Sequence, residues 1–126
     1  MLKKFSVILL LLLMVFAVAS CDSPTFREIE SLELVELNTS MKDYNSPYFY
    51  GKVENTGNVD LYNAKITFTI FETSAKNNII DTASGFPANG ETIRVDQTAN
   101  FEAVAFDLNS EAELEYYNVE ITFLKR

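Results

Sequence analysis

Tyr48-Phe49-Tyr50-Gly51-Lys52-Val53-Glu54-Asn55 runs straight into Thr56-Gly57-Asn58. Phe49, Gly51 and Val53 fall on one side of an extended chain, and Tyr50, Lys52 and Glu54 on the other. That two-residue period, stopped by Gly and Asn, predicts a half-buried strand followed by a turn. Gly57 and Asn58 both tolerate positive φ, which suits such a turn. Gly51 inside the strand predicts a place where another backbone or a large side chain comes close. Asn55 is expected to bond backbone groups of the turn.

The same period recurs downstream. Ala64 to Phe71 places Ile66, Phe68 and Ile70 inward and Lys65, Thr67 and Thr69 outward. Ser74–Asn78 is polar and turns the chain. Ile79–Phe86 reads as a strand or two short ones, broken by Pro87-Ala88-Asn89-Gly90. Thr92–Val95 alternates again, and Thr98–Phe106 continues as a strand. Asp107–Glu115 is an acidic connector. Tyr116–Leu124 closes the chain, with Tyr117, Val119, Ile121 and Phe123 on one face.

Upstream, Ile29, Leu32, Leu34 and Leu37 punctuate four glutamates at spacings of 3, 2 and 3 that fit helix or strand, and the segment from Arg27 is read as a first strand with an irregularity near Ser31. Asn38–Pro47 reads as a loop. No segment carries a sustained helical period or helix caps beyond the leader. About seven short strands separated by turns define an all-β protein, an antiparallel β-sandwich.

Composition agrees. Eight of the ten Phe lie beyond Cys21, as do all six Tyr, and there is no Trp. Aromatic and β-branched residues favour strands. With one cysteine, no internal disulfide is available, so apolar burial must stabilise the body.

The first twenty residues have a different character. Lys3 and Lys4 precede a continuous apolar run from Phe5 to Val18. As a helix those residues span about 21 Å, against a bilayer core of about 30 Å. The layout is that of a cleaved secretory signal; an uncleaved anchor is the alternative, with Cys21 an ordinary thiol. Val18-Ala19-Ser20-Cys21 resembles the lipobox of bacterial lipoproteins. The resemblance implies acylation of Cys21 by a diacylglyceryl group, which meets the need for more than one chain in stable anchoring. Residues 21–26 then form a short lipidated tether, and residues 27–126 one domain.

Removal of residues 1–20 leaves eight basic and eighteen acidic side chains, net charge −10. Such a surface repels phosphate backbones, so no nucleic-acid partner is expected. It also repels anionic headgroups, leaving the acyl group as the membrane contact.

Gly51-x-Val53-x-Asn55-x-Gly57, then Phe68-x-Ile70-Phe71-Glu72, Pro87-Ala88-Asn89-Gly90-Glu91 and Tyr117-x-Val119-x-Ile121 resemble the FxLYD-domain family. The likeness covers roughly residues 45–123. Ile70, Phe71 and Glu72 replace the family's Leu, Tyr and Asp, each keeping the physical type. The resemblance implies an immunoglobulin-like sandwich on an extracytoplasmic lipoprotein. It brings no catalytic residues and no cofactor.

Catalysis has little to build on. The chain lacks His, and its one thiol is assigned to the lipid. Asp107, Asn109 and Glu111, spaced at i, i+2 and i+4, are weak candidate calcium ligands, without the glycine of an EF-hand loop. The expectation is a non-catalytic binding module on the outer face of a membrane, with a protein partner in the cell envelope. The alternative is a calcium-dependent or purely structural component of an envelope assembly. Tyr44, Tyr48, Tyr50, Tyr62 and Tyr116 are candidate contacts; sheet residues covering their neighbours are the plainer reading.

Overall fold

The computed structural model describes residues 27–42 and 45–125. The leader, Cys21 with its tether, and Tyr44 lie outside the described residues.

The body is all-β. Strands β1 (Leu32–Met41), β2 (Pro47–Asn55), β3 (Leu61–Phe71), β4 (Ile79–Gly85), β5 (Thr98–Val104) and β6 (Tyr116–Lys125) form two antiparallel sheets. Their orders are β1-β2-β5 and β4-β3-β6, in a β-sandwich-like arrangement. Six strands are described where the turn spacing predicts about seven. The difference falls at Thr92–Val95. Ile93 makes one isolated bridge with Leu61, and the chain turns immediately after it. Its alternation serves to bury Ile93 alone, because Asn55 holds the neighbouring backbone.

β2 and β3 lie at the centre of their sheets and supply the core. Phe49, Val53, Ile66, Phe68 and Ile70 are fully buried. The Phe49 and Phe68 rings stack across the interlayer with centroids 4.0 Å apart. Tyr117 meets both edge-on at 5.1 and 5.8 Å. An aromatic cluster of this kind adds about 0.5–1.5 kcal/mol per pair beyond the burial itself.

The first strand starts and ends later than the sequence predicts. Residues 27–31 are not in a strand, and pairing runs from Leu32–Asn55 to Met41–Pro47. Asn38 to Met41 therefore belongs to β1, not to a loop. Pairing with β2 satisfies their backbone while Asn38 and Thr39 remain exposed, so polar composition is no obstacle. The irregularity is a bulge between Leu34 and Glu36, not at Ser31. Just past that bulge Gly51 pairs with Leu37, and any β-carbon there would collide with the Glu36 carbonyl oxygen.

The 107–115 connector holds a short 3-10 turn, Glu111–Leu114. It has a capping box: Ser110 receives the Glu113 backbone, and the Glu113 carboxylate receives the Ser110 amide at 3.0 Å. Leu108 and Leu114 plug the core from this turn. The sequence reading, which found no caps there, misses this element because it is a single turn with no period to detect.

Chain direction sets two poles. The lead-in at residues 27–31, the β2–β3 turn, the 91–97 segment and the end of β6 share one pole. Lys125 pairs with Glu28 there. The β1–β2, β3–β4 and β5–β6 connections share the other.

Candidate functional site

The motif around β2 is a structural hub. Asn55 is fully buried. Its side-chain amide donates to the Val59 carbonyl at 2.8 Å and the Ile93 carbonyl at 2.9 Å, and its carbonyl oxygen accepts the Gly57 amide at 3.1 Å. One residue thus ties the β2–β3 turn to the segment leading into β5. Thr56 and Asn58 donate backbone amides to Ser31 and Ile29. Asn58 also accepts the Ile29 amide at 2.6 Å and donates to Arg27 at 2.7 Å. Neither Gly57 nor Asn58 takes the positive φ that both tolerate. Gly57 is required because the Ile29 carbonyl occupies the space of a β-carbon. Positive φ occurs instead at Lys76, Ala88, Asn89 and Gly90, among others.

The remaining motif residues divide by face. Val53, Phe68, Ile70 and Phe71 are buried, while Glu72 is exposed and accepts the Asn78 side-chain amide. Phe71 and Glu72 line a cavity of about 480 Å³ with Ile80, Glu113 and Tyr116.

The four described candidate tyrosines do not converge. Tyr48 and Tyr50 stand together on the outer face of β1-β2-β5, with ring centroids 5.4 Å apart. The Lys42 ammonium lies 4.6 Å from the Tyr48 ring centroid and bonds both Glu102 oxygens at 2.8 and 3.0 Å. Lys42 and Glu102 are distant in sequence, and nothing in their local patterns announces this cluster. Tyr62 is paired with Leu124 and Tyr116 with Phe71, at opposite ends of the β3–β6 ladder. At about 3.3 Å per residue they stand roughly 30 Å apart.

Asp107, Asn109 and Glu111 have separate engagements. Asp81 accepts the Asp107 amide at 3.1 Å, Glu113 accepts the Asn109 amide at 2.9 Å, and Glu111 accepts the Thr39 hydroxyl at 2.8 Å. Among the described residues, no group of three His, Cys, Asp or Glu side chains could hold a metal ion. Beside them Phe106 projects into solvent, 79% exposed.

The flank between β1 and β6 is the feature that sequence reasoning misses altogether. A cavity of about 640 Å³ opens there, lined by Leu37, Phe49, Leu114 and Tyr117, with Thr39, Glu111 and Glu115 also on its wall. Burial raises the Tyr117 phenol above its ordinary 10.0. Below the cavity, Val119, Ile121 and Phe123 pack on the core but are only half-buried. The sole sequence signal is that Tyr117–Phe123 alternates as strongly as a central strand while ending up at an edge.

No family model matches the chain, and neither a curated protein nor a solved structure is significantly similar to it.

Proposed function

We propose that this chain is a lipid-anchored, extracytoplasmic, non-catalytic interaction module of the cell envelope. The observation that carries the reading is the lone Cys21 at the end of Val18-Ala19-Ser20, six residues before Arg27. Six extended residues reach about 20 Å, so the acyl group would keep the domain close to the bilayer. Arg27 enters at the pole that also holds Lys125, which turns the opposite pole and both outer sheet faces toward partners. Loops and edges presented by a rigid scaffold are the usual carriers of recognition.

The same reading takes the fold as FxLYD-like and immunoglobulin-like. The described orders β1-β2-β5 and β4-β3-β6 can be matched to A-B-E and C′-C-F of that topology, which supports the reading. The Gly51, Asn55 and Gly57 positions of the family resemblance each have a definite packing or bonding role here, which supports the assignment.

The test is fractionation and mass spectrometry of the protein from a bacterial host. Expected is a mature chain beginning at acylated Cys21, found with membranes. A Cys21→Ala variant is expected to lose the acyl mass. Residues 1–20 still attached to an unmodified wild-type chain would overturn the placement.

A further inference from the structure

The two flanks of the body are closed differently. At one, β4 lies against β5, and the Gly85 backbone comes up to the Glu102 carbonyl. At the other, side-chain clasps stand at the two ends, joining β1 to the 111–114 turn and β6 to the 27–31 lead-in. Thr39 bonds Glu111 at one end, and Lys125 pairs with Glu28 at the other. Between the clasps lie the cavity over Phe49 and Tyr117 and the half-buried row Val119, Ile121 and Phe123.

β6 pairs with β3 and, among the described residues, with no second strand. It is ten residues long and contains no proline; its one lysine stands at the very end. Natural edges of this length are normally blunted by proline, inward charge or lysine along their length. From Tyr117 to Phe123 the inner row of β6 has none of these.

We propose that the β1/β6 flank takes an extended segment of a partner protein, added along β6 as a seventh strand. The proposal rests on the reading of the chain as an interaction module and names the surface and the chemistry of what binds. The inner row repeats every second residue, about 6.6 Å apart, which is the spacing of same-face side chains on an added strand. Apolar side chains at alternate positions of the incoming segment cover Val119, Ile121 and Phe123. One of them enters the cavity beside Leu37, displacing the half-exposed apolar surface from water.

Charge selects the other face of the incoming strand. β6 turns Asn118, Glu120 and Thr122 outward, and Glu111 and Glu115 stand at the cavity. The partner segment is therefore basic or neutral at its outward positions. A second copy of the chain is a poor occupant, because it brings the same carboxylates and a net charge of −8 for the full sequence.

The experiment uses the full chain in mild detergent and a labelled ten-residue peptide of alternating Val and Lys. Three comparison peptides separate shape from charge. One has the same composition in two blocks, five Val then five Lys. The other two carry N-methyl groups on the Val amides or on the Lys amides, each set blocking one edge of a strand. Expected is binding of the alternating peptide about tenfold or more tighter than the blocked isomer, with one N-methyl set abolishing it and the other sparing it. Leu37→Trp, which narrows the cavity, is expected to weaken binding about tenfold, with circular dichroism unchanged. Glu120→Lys provides a surface variant that leaves the core alone and is expected to lower affinity at low salt.

Equal binding of the blocked isomer would reduce the effect to charge and overturn the proposal. So would indifference to both N-methyl sets. A micromolar dimer that refuses the peptide would assign the flank to a second copy and overturn it equally. None of these outcomes touches the acyl anchor, so failure of this proposal and failure of the proposed placement are read separately.

Discussion

Asn55→Ala tests the hub that ties the β2–β3 turn to the 91–97 segment. The amide group has zero exposure and three side-chain hydrogen bonds. Alanine leaves the Val59 carbonyl and Gly57 amide without that partner. The Ile93 carbonyl keeps one, since it also accepts the Leu61 amide at 3.1 Å. Two orphaned groups at about 1–3 kcal/mol each, discounted because Val59 and Gly57 are half-exposed and can recruit water, cost about 2–4 kcal/mol. For a domain of this size that lowers Tm by roughly 10–20 °C. Asn55→Asp is the sharper variant. It keeps the shape and can still accept from Gly57, but it faces two carbonyl oxygens with a buried charge and no donor. Its cost is about 3–5 kcal/mol, more than alanine's, and a large share of a typical stability. Urea titrations followed by far-ultraviolet circular dichroism measure both. If aspartate proves milder than alanine, or alanine costs under about 1 kcal/mol, the hub does not act by donation and the argument fails.

Gly51→Ala forces a β-carbon into the β1 bulge and is expected to destabilise by about 1–3 kcal/mol, read from the same titrations. Gly57→Ala is expected to do likewise by pushing away the 27–31 lead-in, and it should also raise amide exchange at Ile29 and Asn58. Raised folded-state values at Tyr117, through burial, and at Lys125, through its hydrogen bond to Glu28, have one consequence for pH. Both contributions are complete below the unfolded-chain values and drain away as alkaline pH rises through the folded ones, because the unfolded chain releases its proton first. Melting curves should therefore fall above about pH 10, and Tyr117→Phe should flatten the part due to the phenol. A Tyr117→Phe curve that falls as steeply as wild type would remove Tyr117 as a cause. Thermal midpoints with millimolar calcium and with chelator should coincide, since Asp107 and Glu111 are engaged with different neighbours; a rise with calcium would reinstate a cation site.

Alternation is a local property, and wherever it was dense it was legible. Phe49 to Val53, Ile66 to Ile70 and Tyr117 to Phe123 announce strands and their inward faces without reference to any partner. The special character of Gly51 and Asn55 was also legible, because a glycine within a strand and an asparagine at its end each have few reasons to be there. Pairing is not local. Asn38 to Met41 became strand because β2 offered its backbone a ladder, and Thr92 to Val95 did not because Asn55 and Leu61 had already engaged it. Gly57 answers to the Ile29 carbonyl, a contact across twenty-eight residues that no turn rule contains.

The sequence by itself determined that this chain makes an aromatic-cored β body, and it places its one cysteine at the end of an apolar N-terminal run. Period, composition and a single thiol are properties of neighbouring residues and need no fold to be read. Only the tertiary structure decided which edges close. β4 meets β5 tightly, whereas the β1/β6 flank opens into a cavity over Phe49 and Tyr117. That difference arises from how two twisted sheets stack, a relation among residues remote in the chain, and it is where the capacity to take another strand resides.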